Sequence, residues 1–292
     1  MLKAALAAAM DAAVASIRDV ARLVLPVECP GCGLPDVLWC QACAQCLSQP
    51  LRRVEQDADR LDIPGLGARF PVWALASYEG PVRGLLTAWK DKGRADVDSL
   101  LVPALRQGLA EAVAGPVAGA GAGSAGRAGV GPVAVGGAGA APTGEGLEAV
   151  PVGEGWGLGS LAGPVLVVPM PSRSAAVMRR GRVHLQPVAR ALAQCLGGRT
   201  ANLLRHRGKR DQSGLSARMR AHNIRIQLSR RGRARLGNGP GISIVLLDDV
   251  ITTGASLAAA QKCLARAGAQ VIGALCLAAT PRPALSQRPE PG

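Results

Sequence analysis

One stretch constrains the fold of this chain more than any other: Val245 to Leu257 reads VLLDDVITTGASL. An unbroken aliphatic run marks a strand buried on both faces of a parallel sheet. Here the run ends in two carboxylates, which are costly to bury without partners. Two threonines, a glycine and a serine follow at once, ahead of a helical pattern. The stretch therefore reads as strand, turn and helix, with the strand over Ile242 to Leu247 and the helix over Ser256 to Ala267.

The sequence around it repeats that alternation. A strand is expected over Pro164 to Val168, a helix near Gly181 to Leu196, a basic loop, and a last strand over Val271 to Ala278. Gly268 is placed to cap the helix before that strand. Strands alternating with helices of this length imply an α/β fold, a parallel sheet flanked by helices. Upstream, residues 1–27 read as an amphipathic helix, because Asp11, Arg18, Asp19 and Arg22 interrupt the apolar run and no cleavage site follows it. Residues 28–69 form a cysteine-rich module and linker, and residues 70–280 the α/β domain. That domain is interrupted at 114–163 by a Gly/Ala-rich segment, which buries too little to offset its ordering entropy and is read as a disordered insert. Residues 281–292 read as a flexible tail. No stretch reaches the roughly eighteen apolar residues of a membrane span, and the chain is expected to be cytoplasmic.

The net charge of +14 is concentrated, since Pro164 to Pro240 holds seventeen Arg and Lys against Asp211 alone. Elsewhere the two signs nearly cancel. Such a tract suits a polyanion, nucleic acid for example, or a small phosphorylated ligand; a solvated arginine excess is the alternative. Aromatic residues are only 2%, so base stacking on aromatic platforms is not the main theme. Phe70, Trp73, Tyr78 and Trp89 are read as core, and so are Cys195, Cys263 and Cys276. His184, His206 and His222 stand among arginines without a carboxylate or cysteine at ligand spacing, and are read as surface residues.

Cys29, Cys32, Cys40 and Cys43 form C-x2-C-x7-C-x2-C. That is the spacing of a zinc site, in which four thiolates satisfy a tetrahedral ion and stabilise a segment too short for its own core. The metal is expected to be structural, because no histidine or open position suggests catalysis. Cys46 competes with Cys43 for the fourth place.

The turn after the acidic pair lies at the C-terminal edge of the sheet, where α/β folds bind ligands. Thr252, Thr253, Gly254, Ala255 and Ser256 can present backbone NH groups and hydroxyls at a helix N-terminus, which makes a phosphate cradle. Asp248 and Asp249 then lie about one sugar away, able to accept from adjacent ribose hydroxyls directly or through Mg2+. A nucleoside triphosphatase strand also ends in acidic residues, but the chain has no G-x-x-x-x-G-K-[ST].

The sequence from the aliphatic strand through Asp-Asp to Thr-Thr-Gly-Ala-Ser resembles the phosphoribosyl pyrophosphate (PRPP) loop of type I phosphoribosyltransferases. The whole chain, apart from the Gly/Ala insert and the last dozen residues, resembles ComF family proteins. The resemblance runs through Pro26 and Cys29-Pro30-Gly31-Cys32, Tyr78-Glu79-Gly80, Trp89-Lys90 with Gly93, Val167-Val168-Pro169-Met170-Pro171, and Gln212, Leu215, Arg218 and Asn223. It departs at Arg180-Gly181-Arg182-Val183-His184, where the family has Arg-Gly-Phe-Asn-Gln.

The resemblance implies a type I phosphoribosyltransferase-like parallel sheet with a small zinc-ribbon-like N-terminal module. Asp248 and Asp249 become the candidate catalytic pair, and residues 252–256 the 5′-phosphate site. Pro169, Ser172, Arg173 and Lys90 fall on the pyrophosphate side, with Lys90 open between a PRPP contact and a helix-end cation. Arg205, Arg207, Lys209, Gln212 and Arg218 fall where a flexible hood would close over PRPP. The implied cofactors are structural Zn2+ and Mg2+ with PRPP. Two functions follow: phosphoribosyl transfer to an unidentified acceptor, or a single-stranded DNA-binding part of DNA uptake, working with a helicase or recombination proteins.

Overall fold

The structure, a computed structural model, describes residues 27–63, 67–68, 70–114, 165–172, 181–206, 226–236 and 242–281. The expected N-terminal helix, nearly all of the Gly/Ala insert and the C-terminal tail lie outside the described residues.

The cysteine module contains α1 (Gln41–Gln45) and leads into β1 (Arg52–Arg53), a single 3-10 turn (Glu55–Asp57) and the hairpin of β2 (Asp62–Ile63) and β3 (Gly67–Ala68). Then come β4 (Val72–Ser77), α2 (Gly80–Asp91), a second 3-10 turn (Ala95–Val97) and α3 (Asp98–Ala114). The chain resumes with β5 (Val165–Pro169), α4 (Leu185–Cys195), β6 (Arg199–Thr200), β7 (Leu204–His206), β8 (Ile226–Leu228) and α5 (Arg230–Leu236). It ends in β9 (Ser243–Ile251), α6 (Ala255–Ala265) and β10 (Gln270–Ala279).

Six strands form one sheet in the order β1-β4-β10-β9-β5-β6, parallel except for β1 at one edge. The aliphatic run sits in its middle. Val245, Leu246 and Leu247 of β9 lie opposite Val167, Val168 and Pro169 of β5 on one side, and opposite Gly273, Ala274 and Leu275 of β10 on the other. All three are essentially inaccessible, as a strand covered on both faces requires. Helix α4 turns Leu185, Val188, Ala189 and Leu192 inward, the one-face spacing of an amphipathic helix.

The acidic pair lies inside the strand and not in a turn after it. β9 runs on to Ile251 because β10 keeps pairing with it, Cys276 against Asp248 and Ala279 against Ile251. β5 stops opposite Leu247, and the Met170 NH makes the last bond to the Leu247 carbonyl at 2.8 Å. The two aspartates therefore continue a strand that β5 has left, with one edge open to side chains. The tract expected as a basic loop also carries β6, the antiparallel β7–β8 pair and α5. These elements are two to seven residues long, too short for a hydrophobic period to show.

The cysteine module is docked on α2. A Cβ on Gly84 would stand 2.6 Å from the Pro30 carbonyl oxygen, so only glycine allows this approach. Arg94 bonds the Glu28 and Leu38 carbonyls at 3.1 and 3.4 Å. The linker adds β1 to the sheet, and buried Glu55 fixes it there by accepting from the Val72 NH at 3.1 Å and from the Arg53 guanidinium. Burial opposes ionisation of Glu55, but these donors outweigh it and hold its carboxyl below the ordinary range.

Glu55→Ala is expected to cost about 1–3 kcal/mol at pH 7, the usual penalty for orphaning a buried donor. A carboxyl held low in the fold contributes stability above its unfolded value and loses it as the pH falls through the folded one. Urea melts should therefore show the gap between wild type and E55A closing below about pH 4. A gap independent of pH would mean that the carboxylate charge contributes nothing.

Candidate functional site

Asp249 is 6% exposed at the end of β9. Its Oδ2 meets Lys90 Nζ at 2.6 Å and His184 Nε2 at 3.3 Å, and its Oδ1 accepts from the Val250 NH at 2.8 Å. Lys90 comes from the last turn of α2 and His184 from the residue before α4. Three elements thus converge on one carboxylate. Burial pushes Asp249 up, and the hydrogen bond from His184 and the charge of Lys90 outweigh it, holding the carboxyl well below the usual range. For Lys90, burial acts downward and the Asp249 charge more strongly upward, so the ammonium is retained. Asp248 goes the other way: burial of its carboxyl and the Asp249 charge beside it push it well up. The two neighbouring carboxyls are thus pushed in opposite directions.

Around this pair the side chains form a chain of contacts. The His184 ring stands edge-on to Trp89, with centroids 4.7 Å apart, and its Nδ1 is 3.3 Å from Ser172 Oγ in the turn after β5. The Trp89 indole donates to Asp98 at 2.6 Å. Arg182 donates to both oxygens of Asp98, at 2.8 and 2.7 Å.

The hydroxyl-rich turn follows directly. Thr252 and Thr253 are exposed, Gly254 is buried, and α6 begins at Ala255. The first intrahelical bond runs from the Ala258 NH to the Gly254 carbonyl, so the NH groups of Ala255, Ser256 and Leu257 precede the helical ladder and form a partial positive end. Gly254 has φ 73°, in the left-handed region, and a Cβ there would come within 2.6 Å of Leu61 Cγ. The linker supports the turn from below, where the Arg60 NH donates to the Thr253 carbonyl at 3.0 Å.

Asp248, Asp249, Lys90, Pro169, Ser172 and residues 252–256 are thus gathered at one edge of the sheet. Arg205 lies on β7 beside Gln227 of β8; Arg173, Arg207, Lys209, Gln212 and Arg218 lie outside the described residues, as does His222. His184 corrects the surface reading: it is 3% exposed and inside the site. Its carboxylate partner is distant in sequence, so ligand spacing could not reveal it; the usable signal was its place just ahead of an amphipathic helix. His206 is half-buried, with Nε2 2.7 Å from the Pro171 carbonyl. Phe70, Trp73 and Trp89 are core residues as expected, and Tyr78 packs against the core.

The sulfurs of Cys29, Cys32, Cys40 and Cys43 all lie within 4.8 Å of one another. Cys40 stands 3.9 Å from Cys29 and 3.6 Å from Cys32. Zn–S bonds of about 2.3 Å in a tetrahedron separate the sulfurs by about 3.8 Å, so the cluster fits a metal ion such as zinc. Cys46 is turned away, its Sγ on the Ala42 carbonyl at 3.3 Å. Burial acts against a Cys29 thiolate, and backbone NH groups of Cys40, Cys32 and Gly31 outweigh it, bringing its thiol down to about 6, whereas burial and the neighbouring sulfurs push Cys43 well up.

Residues 175–289 match the family model of the phosphoribosyl transferase domain. This supports a phosphoribosyltransferase-like family for the chain. A search of the curated proteins finds no match.

The matched span begins after the cysteine cluster, which is tested separately. Protein purified with zinc should carry one ion per chain by atomic absorption. Cys43→Ser should lose it and melt several degrees lower, while Cys46→Ser should keep it. Equal zinc loss in both variants would contradict the ligand set.

Proposed function

We propose that this chain is a ComF-type phosphoribosyltransferase-like protein that binds PRPP with Mg2+ and brings it to an acceptor. The observation that carries the reading is the assembly, at one sheet edge, of an acidic pair, a hydroxyl-rich helix start and a half-exposed lysine. The 5′-phosphate would rest on the NH groups that open α6 and on the Thr252 and Thr253 hydroxyls. The ribose hydroxyls would lie against Asp248 and Asp249, and pyrophosphate toward the turn from Pro169 to Ser172 and the Lys90 ammonium.

The donor set suits a hard dication, because these oxygens are carboxylates and Asp248 gains from added positive charge. Mg2+ held there with the pyrophosphate oxygens would neutralise charge on the leaving group. In transfer, the acceptor's lone pair forms a bond to the anomeric carbon as the bond to pyrophosphate breaks, through an oxocarbenium-like state. This chain's part is to hold the two reactants in line and to meet the departing negative charge with Lys90. The zinc-type cluster acts structurally, by fixing the module that docks on α2.

A second reading has its own support. Arg230, Arg231, Arg233 and Arg235 are all exposed on or at the start of α5, beside the β7–β8 pair, and such a face suits single-stranded DNA.

Calorimetry of zinc-loaded protein with PRPP and Mg2+ should show micromolar binding that Asp248→Asn/Asp249→Asn weakens at least tenfold, about 1.4 kcal/mol. A folded wild type that binds no PRPP would sink the reading. Steeply salt-dependent DNA binding that survives the double substitution would favour the second.

A further inference from the structure

We infer that His184 is a positioning residue that locks the ribose side of the site to its pyrophosphate side. The inference rests on the PRPP reading for its consequence, but not for its geometry. A single buried ring joins a strand to a turn, with Nε2 3.3 Å from Asp249 Oδ2 on β9 and Nδ1 3.3 Å from Ser172 Oγ after β5. A carboxylate only accepts, so the ring donates through Nε2–H, and Nδ1 is left to the Ser172 hydroxyl, which can donate or accept. One tautomer satisfies both partners.

The ring is itself braced. Trp89 packs against it, the Trp89 indole is fixed on Asp98, and Arg182 grips the same Asp98 bidentately. Arg182 and His184 act together: one places an arginine on Asp98, and the other places a ring against the tryptophan that Asp98 orients. With Asp249 held by His184 and Val250, its contact with Lys90 keeps that ammonium at the site, where the side chain remains 44% exposed. His184 thereby sets the distance between the group that faces ribose and the cation that faces pyrophosphate.

Glutamine at 184 can repeat both hydrogen bonds, an amide NH to Asp249 and its carbonyl to Ser172. Phenylalanine repeats only the packing on Trp89. Calorimetry with PRPP and Mg2+ should therefore show His184→Phe weakened at least tenfold, and His184→Gln restoring most of that loss. Equal affinities in H184F and wild type, or H184Q as weak as a folded H184F, would overturn the inference.

The bridge has a second readout that needs no ligand. The chain has three histidines, so the 15N-histidine spectrum is assignable from the signal lost in H184Q. His184 should appear as the Nε2–H tautomer, with its Nδ1 shift moved by Ser172→Ala and its Nε2 shift moved by Asp249→Asn. An Nδ1–H tautomer, or a ring insensitive to both substitutions, overturns the inference. If wild type binds no PRPP the functional reading fails, and the bridge is judged on this spectrum.

Discussion

A carboxylate withdrawn from water near the end of a central strand must find opposite charge and hydrogen-bond donors, and Asp249 finds them in elements far apart in the chain. Lys90 arrives from α2, His184 from the front of α4, and the Val250 NH from β9 itself. The remaining contacts follow outward from these. Trp89, one residue before Lys90, is wholly buried, and its indole ties α2 to the start of α3 through Asp98. The cysteine module then rests on α2 through the space that Gly84 leaves. The most distant part of the N-terminal half is in this way connected to one buried negative charge.

The turn of Thr252 to Ser256 is supported separately, by backbone geometry. It needs a left-handed residue, a close approach by Leu61 and a hydrogen bond from Arg60, two of which come from the linker after the cysteine module. The N-terminal segment therefore holds both halves of the candidate site, through α2 on the acidic side and through the linker under the hydroxyl-rich turn. Removing it would leave β4 as the sheet's edge and the turn without its floor.

Much of this was legible in the sequence because it rests on local patterns. The aliphatic run of β9, the helix after it and the cysteine spacing each carry their own signal, and the start of β9 and both ends of the helix lie within two residues of where they were expected. What could not be read were contacts between segments far apart in the chain. Asp249 with His184 and Lys90, and Arg182 with Asp98, depend on which side chains face one another once the sheet is assembled. The end of β9 was misplaced for a related reason. Two aspartates look like the end of a strand, and only the continued pairing of β10 with β9 reveals that they lie within one.

The strand order has a consequence for how the chain is made. Val72 of β4 pairs in parallel with Ala274 of β10, so an early strand of the sheet has as its neighbour the last of the described strands. Among the described strands that edge of β4 waits for β10, and parallel pairings of this separation form slowly. The two-residue strand β1 already covers the other edge, and the cysteine module emerges earlier still. The N-terminal segment therefore covers one edge of β4 before the strand that covers the other edge has been made.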